Sequence, residues 1–301
     1  MKTINCIPNI SEGRDKATIE AAAEAVRAVD GVRLVSVVPD VDHNRTVYSF
    51  VGEPAAALEA MKRLADAALA RIDMSRHSGE HPRIGAVDVA PFVPVLGVGQ
   101  DEALDACRAF GRWLGGRGVP VYYYGAAATS PSRESLADVR RGQYEGLAAK
   151  LADPAWAPDE GPARHNPKSG ASAVGVRLPL IAFNVNLRTA DVRVARQIAA
   201  AVRNAGGGYR YLRAIGVKLA SSGQTQVSMN LVDHVKTPLP RVLETVRSEA
   251  ARHGVAVAGT ELVGAMPAQA VEEVMRHYLQ CHGFQCGQIL ELNCLPDSPD
   301  L

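Results

Sequence analysis

The chain has 301 residues, a formal net charge of +1, and 47% hydrophobic against 22% charged residues. That is an ordinary globular composition, and its near-neutral balance excludes a bulk electrostatic pull toward nucleic acid or an anionic membrane. No run approaches about 18 uninterrupted apolar residues, so no membrane-spanning helix is expected; the start, MKTINCIPNISEG, lacks a signal-peptide apolar core, and five scattered cysteines suit a reduced, cytoplasmic setting.

In chain order, the apolar run Ile4 to Ile10 reads as a strand. Asp15 is placed to cap a helix whose apolar residues fall at Ile19, Ala22, Val26 and Val29, with Gly31 as its stop. Val32 to Val38 and Arg45 to Val51 are β-branched and aromatic-rich strands around the turn cluster PDVDHN. Pro54 opens a helix with Leu58, Met61, Leu64 and Leu69 on one side, and AVDVAPFVPV closes the unit as a strand. The order is βαββαβ. A helix over Asp101 to Leu114, a strand VPVYYYGAA and a helix over Glu134 to Leu151 follow. The polar, Pro/Gly-rich segment 152–177 has no clear period and is expected to be a long functional loop.

The second half repeats the pattern. Leu180 to Leu187 is a strand, and Val194, Ile198 and Val202 mark a helix. YLRAIGVKLA and TQVSMNLVDH form a hairpin around Ser-Ser-Gly, Thr237-Pro238 opens a helix, and VAVAGTELVG is a strand. The expectation is an α+β protein of two ferredoxin-like (βαββαβ) subdomains side by side, residues 1–178 and 179–301, with a substrate cleft between them.

The densest polar cluster is RHSGEHPRIGAVDVAP, Arg76 to Pro91. His77 and His81 are four apart, the spacing of a helical metal pair, but Gly79 and Pro82 oppose a helix there. A loop of solvated charges is the ordinary alternative. The residue types favour acid/base chemistry. Histidine takes and gives protons near neutrality, Glu80 and Asp88 are available to orient an imidazole or contact a substrate nitrogen, and Arg83 has the fork geometry for a carboxylate. The turn DVDHNRT adds His43 and Arg45. No metal is expected at this loop; Cys281, His282 and Cys286 in CHGFQC, with His277 nearby, are a weak second metal candidate.

At these residues the sequence resembles the formiminotransferase domain of the glutamate formiminotransferase family. The matching stretches are CIPNISEGR, NRTVYSFVG, IDMSRHSGEHPRIGAVDVAPFVPV, VPVYYYG, WAPDEGP, GASAVGVR, IAFNVNL and QVSMNLVD, spread over nearly the whole chain. The resemblance implies transfer of a formimino group from N-formimino-L-glutamate to tetrahydrofolate, a co-substrate, in histidine breakdown. It implies the tandem ferredoxin-like fold, a homodimer, and no cyclodeaminase domain of the kind that continues the animal members, since this chain ends at Leu301. The histidine of the family's GEHPR falls on His81 and is the implied acid/base residue. The family's folate-binding stretch falls on Ala163, Arg164, His165, Asn166, Pro167, Lys168, Ser169, Gly170, Ala171 and Ser172, more basic here than in animal members. Donor carboxylates need cations, for which Arg45 and Arg83 stand nearest by motif, with Arg177 and Lys218 behind them. A formiminoglycine- or formyl-specific folate transferase, and a non-catalytic folate-binding protein, are the alternatives; nucleic-acid binding lacks both basic excess and an aromatic sheet motif.

Overall fold

The computed structural model describes residues 2–41, 43–79, 81–219 and 223–290. The chain divides into two compact units, Met1–Arg177 and Leu178–Leu301. Both mix helices with one sheet.

In the first unit the opening strand is broken in two, β1 (Thr3–Cys6) and β2 (Asn9–Ile10). Pro8 stands between them without an N–H, and a strand interior tolerates that only where the ladder is interrupted. Helix α1 (Lys16–Arg27) begins at Asp15, whose carboxylate accepts from Ala17 N–H. Strands β3 (Val32–Asp40) and β4 (Arg45–Gly52) form an antiparallel pair, and α2 (Pro54–Arg71) starts on its proline. Strand β5 (Val87–Leu96) is buried on both faces over most of its length, which is why its sequence runs apolar without alternation. The broken strand β1/β2 lies between β4 and β5, antiparallel to both.

After α3 (Gln100–Gly115) and β6 (Val121–Gly125) the expected helix over Glu134 to Leu151 does not form. Two short pieces, α4 (Leu136–Val139) and α5 (Leu147–Ala152), stand in its place. The left-handed backbone at Gly142 and Gln143 (φ 87° and 55°) turns the chain between them; a helix excludes that conformation. The segment 152–177 also differs from the expected loop. Its end is β7 (Ser172–Val176), a fully buried strand inserted between β5 and β6 and parallel to both. The sheet therefore reads β3-β4-(β1/β2)-β5-β7-β6.

The second unit holds β8 (Ile181–Leu187), α6 (Val192–Val202), β9 (Leu212–Lys218), β10 (Thr225–Leu231), α7 (Leu239–Arg252), β11 (Val257–Val263) and α8 (Ala268–Leu279). Its four strands are antiparallel in the order β11-β8-β10-β9. Of the three apolar residues expected on α6, Ile198 and Val202 are buried with Val185, Val227 and Val246 in one core, and Val194 is partly buried against it. Helix α8 was not anticipated by the periodicity. Behind it Cys286 directs its thiol to Ala268 O at 3.4 Å. Among the described residues no group of three or more His, Cys, Asp or Glu is placed to hold a metal ion, and no helix is long and apolar enough to cross a membrane. Ser221, Ser222 and Cys294 lie outside the described residues.

Candidate active site

The site is built on three loops of the first unit, tied together by one asparagine. Asn44, in the turn between β3 and β4, takes a left-handed conformation (φ 47°) that Asn tolerates better than most residues. Its side-chain oxygen accepts from Gly13 N–H (2.9 Å) and its amide nitrogen donates to Ser78 O (2.9 Å). The segment after β2, the β3–β4 turn and the histidine loop are thereby held in one place. Gly79 sits so close to the turn that a Cβ there would lie 2.3 Å from His43 O.

His77 and His81 have separate partners. His77 donates from Nε2 to Asn44 O (2.9 Å), so its Nδ1 is free to accept from Arg83 Nε (3.2 Å). Burial and the Arg83 charge hold its pKa down, against the raising effect of the Asn44 hydrogen bond. Its ring thus braces the loop. Arg83 is itself buried, and its terminal nitrogens bind both oxygens of Glu145 (2.8 and 2.5 Å). Its carbonyl also accepts from Tyr144 N–H at 2.8 Å. The guanidinium expected to meet a substrate carboxylate therefore already carries one from its own chain. Asp88 is engaged as well: Oδ1 accepts from Ile84 N–H (2.8 Å) and Oδ2 is paired with Arg140.

His81 sits at the tip of the loop. Its Nδ1 lies 2.7 Å from Pro82 O, a group that only accepts, so Nδ1 carries the ring hydrogen and Nε2 presents its lone pair. Arg45 Nη1 donates to that lone pair over 2.6 Å. Burial, then the Arg45 and Arg140 charges, push the His81 pKa down to about 4, so the ring is neutral at pH 7. His43 stands edge-on at 5.6 Å between ring centroids and is held by Asp40, which takes its backbone N–H (2.8 Å) and faces its Nδ1 (2.7 Å). The structure thus brings His81, His43 and Arg45 together, and links Asp88 to them through Arg140. Glu80 lies outside the described residues.

The stretch 163–172 lies against the same motif. Ala86 N–H donates to Ser169 O (2.8 Å), Ala171 N–H to Ile84 O (2.9 Å), and Met74 N–H to Lys168 O (2.9 Å). Gly85 and Gly170 form the bridge between the two segments. Side chains are excluded there: a Cβ on Gly85 would lie 2.1 Å from Ala171 O, and one on Gly170, at φ 64°, 2.2 Å from Ile84 O. Asn166 turns the loop by accepting from Lys168 and Ser169 N–H (3.1 and 3.2 Å). Tyr144 holds it from outside, donating to Pro167 O (2.7 Å) and packing 5.3 Å from the His165 ring. Arg164 and Lys168 are exposed, whereas Ser169 to Ser172 are buried. Arg177 follows β7 and Lys218 ends β9 of the second unit.

Arg140, Tyr144 and Glu145 fall within the helix expected over Glu134 to Leu151, and the sequence motifs do not point to them as site residues. Their one local signal is the pair Gly142 and Gly146 in RRGQYEG, a spacing that favours a turn over a helix.

A sheet scaffold presents a neutral histidine beside a guanidinium, with a backbone-anchored loop behind it, an arrangement suited to general acid–base chemistry. Comparison with known proteins gives the family. Residues 3–177 match the model of the formiminotransferase domain, N-terminal subdomain, and residues 182–288 match that of the formiminotransferase domain; the chain belongs to this family. It is 43% identical over 296 residues to the glutamate formimidoyltransferase of Streptococcus pyogenes serotype M1, covering 98% of this chain and 99% of that one. The glutamate formimidoyltransferase of Thermoplasma acidophilum is 42% identical, with 97% of each chain covered. The formimidoyltransferase-cyclodeaminase of Gallus gallus is 41% identical over 93% of this chain, which spans 53% of that relative.

Proposed function

We propose that the chain transfers the formimino group from N-formimino-L-glutamate to N5 of tetrahydrofolate, giving 5-formiminotetrahydrofolate and L-glutamate, a step of histidine degradation. Full-length similarity to relatives named for this activity supports the reaction. The observation that carries the site is the neutral His81 with its Nε2 lone pair directed at Arg45.

In this reading N5 attacks the carbon of the protonated formimino group and forms a tetrahedral intermediate in which that carbon carries N5, the glutamate nitrogen and the former imino nitrogen. His81 Nε2 takes the proton that N5 loses. The ring then returns it to the glutamate nitrogen as that C–N bond breaks, and the imidazole ends neutral, as it began. Such proton transfer contributes about 100- to 10,000-fold, and holding both substrates in register contributes at least comparably. The loop 163–172 is the folate-binding element, with its backbone pinned to Ile84–Ala86 and its cations outward. His43, Arg45 and Glu80 are donor-side residues. Arg83 and Asp88 act through the groups they hold.

The frame in this reading is a pair of ferredoxin-like subdomains, residues 1–178 and 179–301. The antiparallel order β11-β8-β10-β9 in a β-α-β-β-α-β succession supports it for the second unit, and β3-β4-(β1/β2)-β5 for the first, where β7 and β6 extend the sheet. A homodimer belongs to the same reading and is checked by light scattering.

The test is a purified transfer assay with formiminoglutamate and formiminoglycine as competing donors and tetrahydrofolate as acceptor. Faster transfer from formiminoglutamate is expected. Folate binding without transfer from either donor would replace the enzyme reading with that of a binding protein.

A further inference from the structure

Among the described residues, five charged or titratable groups face His81 or its partners from the elements packed around it. Arg45 comes from β4, Arg140 from the turn after α4, and His43 with Asp40 from the end of β3 and its turn. Asp88 of β5 is the counter-charge of Arg140. Asp40 faces His43 Nδ1, and its charge acts on Arg45 together with that of Asp88; one oxygen of Asp88 is taken by Ile84 N–H. At the imidazole itself the field is cationic, since Arg45 and Arg140 are the neighbours whose charges disfavour its protonation. The Nε–H groups of Arg45 and Arg140 are both buried and have no acceptor among the described residues. Buried guanidinium N–H groups without an acceptor are costly, and an incoming carboxylate satisfies them with charge-assisted bonds.

A second feature concerns the ring nitrogen. The Nε2 lone pair is the only base that the Nδ1–H tautomer offers, and Arg45 Nη1 occupies it at 2.6 Å. The imidazole cannot accept a substrate proton until that contact is released. Resting on the transfer reading above, we propose that Arg140, together with Arg45, receives a carboxylate of the donor beside His81, and that this carboxylate draws Arg45 off the ring nitrogen and thereby makes the imidazole free to take a proton. Donor binding and activation of the base are then one event, and the acceptor amine meets an active base only when the donor is seated. Arg83, engaged by Glu145, has no part in it.

The experiment uses the full chain with its histidines labelled at carbon ε1 and the His81 resonance assigned from His81→Asn. Its pH midpoint is measured alone, with glutarate as the dicarboxylate probe, and with glutaramide as the neutral control. Glutarate is expected to raise the midpoint by about one pH unit or more, because a negative charge replaces part of the positive field; glutaramide is expected to leave it in place. In Arg140→Gln the KM for formiminoglutamate is expected to rise about tenfold or more, the cost of a lost charge-assisted pair, with a smaller change in kcat and a diminished glutarate shift. Arg140→Lys and the double variant Asp88→Asn/Arg140→Gln carry the same measurements where the single substitution fails to fold. A glutarate-indifferent midpoint in the wild type, or variants with KM within about twofold of the wild type, overturns the proposal. Transfer activity that ignores Arg140 sinks this subsite and leaves the transfer reading standing. An Arg140-dependent glutarate shift in a protein that transfers nothing does the reverse.

Discussion

Arg45 Nη1 donates to His81 Nε2 over 2.6 Å, so the imidazole of this site rests as a neutral acceptor under a permanent cation. The hydrogen on Nδ1 is fixed by Pro82 O, one residue on. A ring held on both nitrogens has a defined tautomer and orientation before any substrate arrives, which limits the reorganisation left for the reaction.

Replacing His81 removes that proton carrier and little else, because the loop is braced by His77, Asn44 and Arg83. His81→Asn is expected to lower kcat by about 100- to 10,000-fold. Its melting temperature is expected to match the wild type to within a few degrees. Steady-state transfer kinetics and a thermal melt check both. Near-normal turnover in a folded variant would remove His81 from the mechanism.

The pH behaviour follows from the same pair. With a folded pKa of about 4 against about 6.5 for an unperturbed histidine, the unfolded state binds more protons across that interval. The stability due to this group is therefore fully present above about pH 6.5 and is lost as pH falls through about 4. The wild type is expected to lose more melting temperature than His81→Asn over that window. The acidic limb of kcat/KM, which reports the free enzyme, is expected near pH 4. That of kcat, measured with donor bound, is expected at higher pH. Arg45→Gln removes the second-largest cause of the depression and is expected to move the kcat/KM limb upward. Coincident limbs in the wild type would mean that the donor leaves the ring's surroundings unchanged.

How much of this was legible in sequence differs from element to element. Apolar spacing together with a local start signal, Asp15, Pro54 or Thr237-Pro238, located α1, α2 and α7, and spacing alone located α6. His43, Arg45 and His81 were legible as candidates because they cluster in two short motifs. The partners of Arg83 and Asp88 were not, since Glu145 and Arg140 stand 62 and 52 residues away in sequence. They converge because the chain turns at Gly142; the glycine pair in RRGQYEG signals a turn there but not which side chains it brings to the histidine loop. β7 was hidden for a related reason. SAVGV is short and small, and it is a strand because β5 and β6 pair with it on both sides, not through any pattern of its own.

The contact between loop 163–172 and the histidine motif depends on two glycines with no room for a methyl group. Gly170→Ala adds a Cβ 2.2 Å from Ile84 O at a left-handed residue, so backbone strain and a clash act together. A loss of about 1–3 kcal/mol is expected from the conformation alone. The KM for tetrahydrofolate is expected to rise more than that for formiminoglutamate, because the displaced segment is the folate-side one. Chemical denaturation and the two KM values check this. Equal rises in both would show that the loop serves the whole site rather than one substrate.

Arg83 and Glu145 form an unequal pair, with side-chain exposures of 8% and 64%. Removing Glu145 leaves a buried guanidinium with a weak contact to Gln143 (3.3 Å) and the His77 groups (3.2 and 3.4 Å). Removing Arg83 leaves a carboxylate already reached by water. Glu145→Ala, a substitution at an exposed position, is therefore expected to cost about 1–3 kcal/mol, well above the roughly 0.5 kcal/mol usual for surface changes. Its effect is expected to travel through His77 to the loop carrying His81, lowering kcat modestly while leaving the KM for the donor nearly unchanged. Glu145→Gln keeps acceptor geometry without charge and is expected to recover part of the stability. A double-mutant cycle of Arg83→Met and Glu145→Ala isolates the pair, and a coupling below about 0.5 kcal/mol would reduce it to an ordinary surface contact and return Arg83 to the set of cations available for substrate.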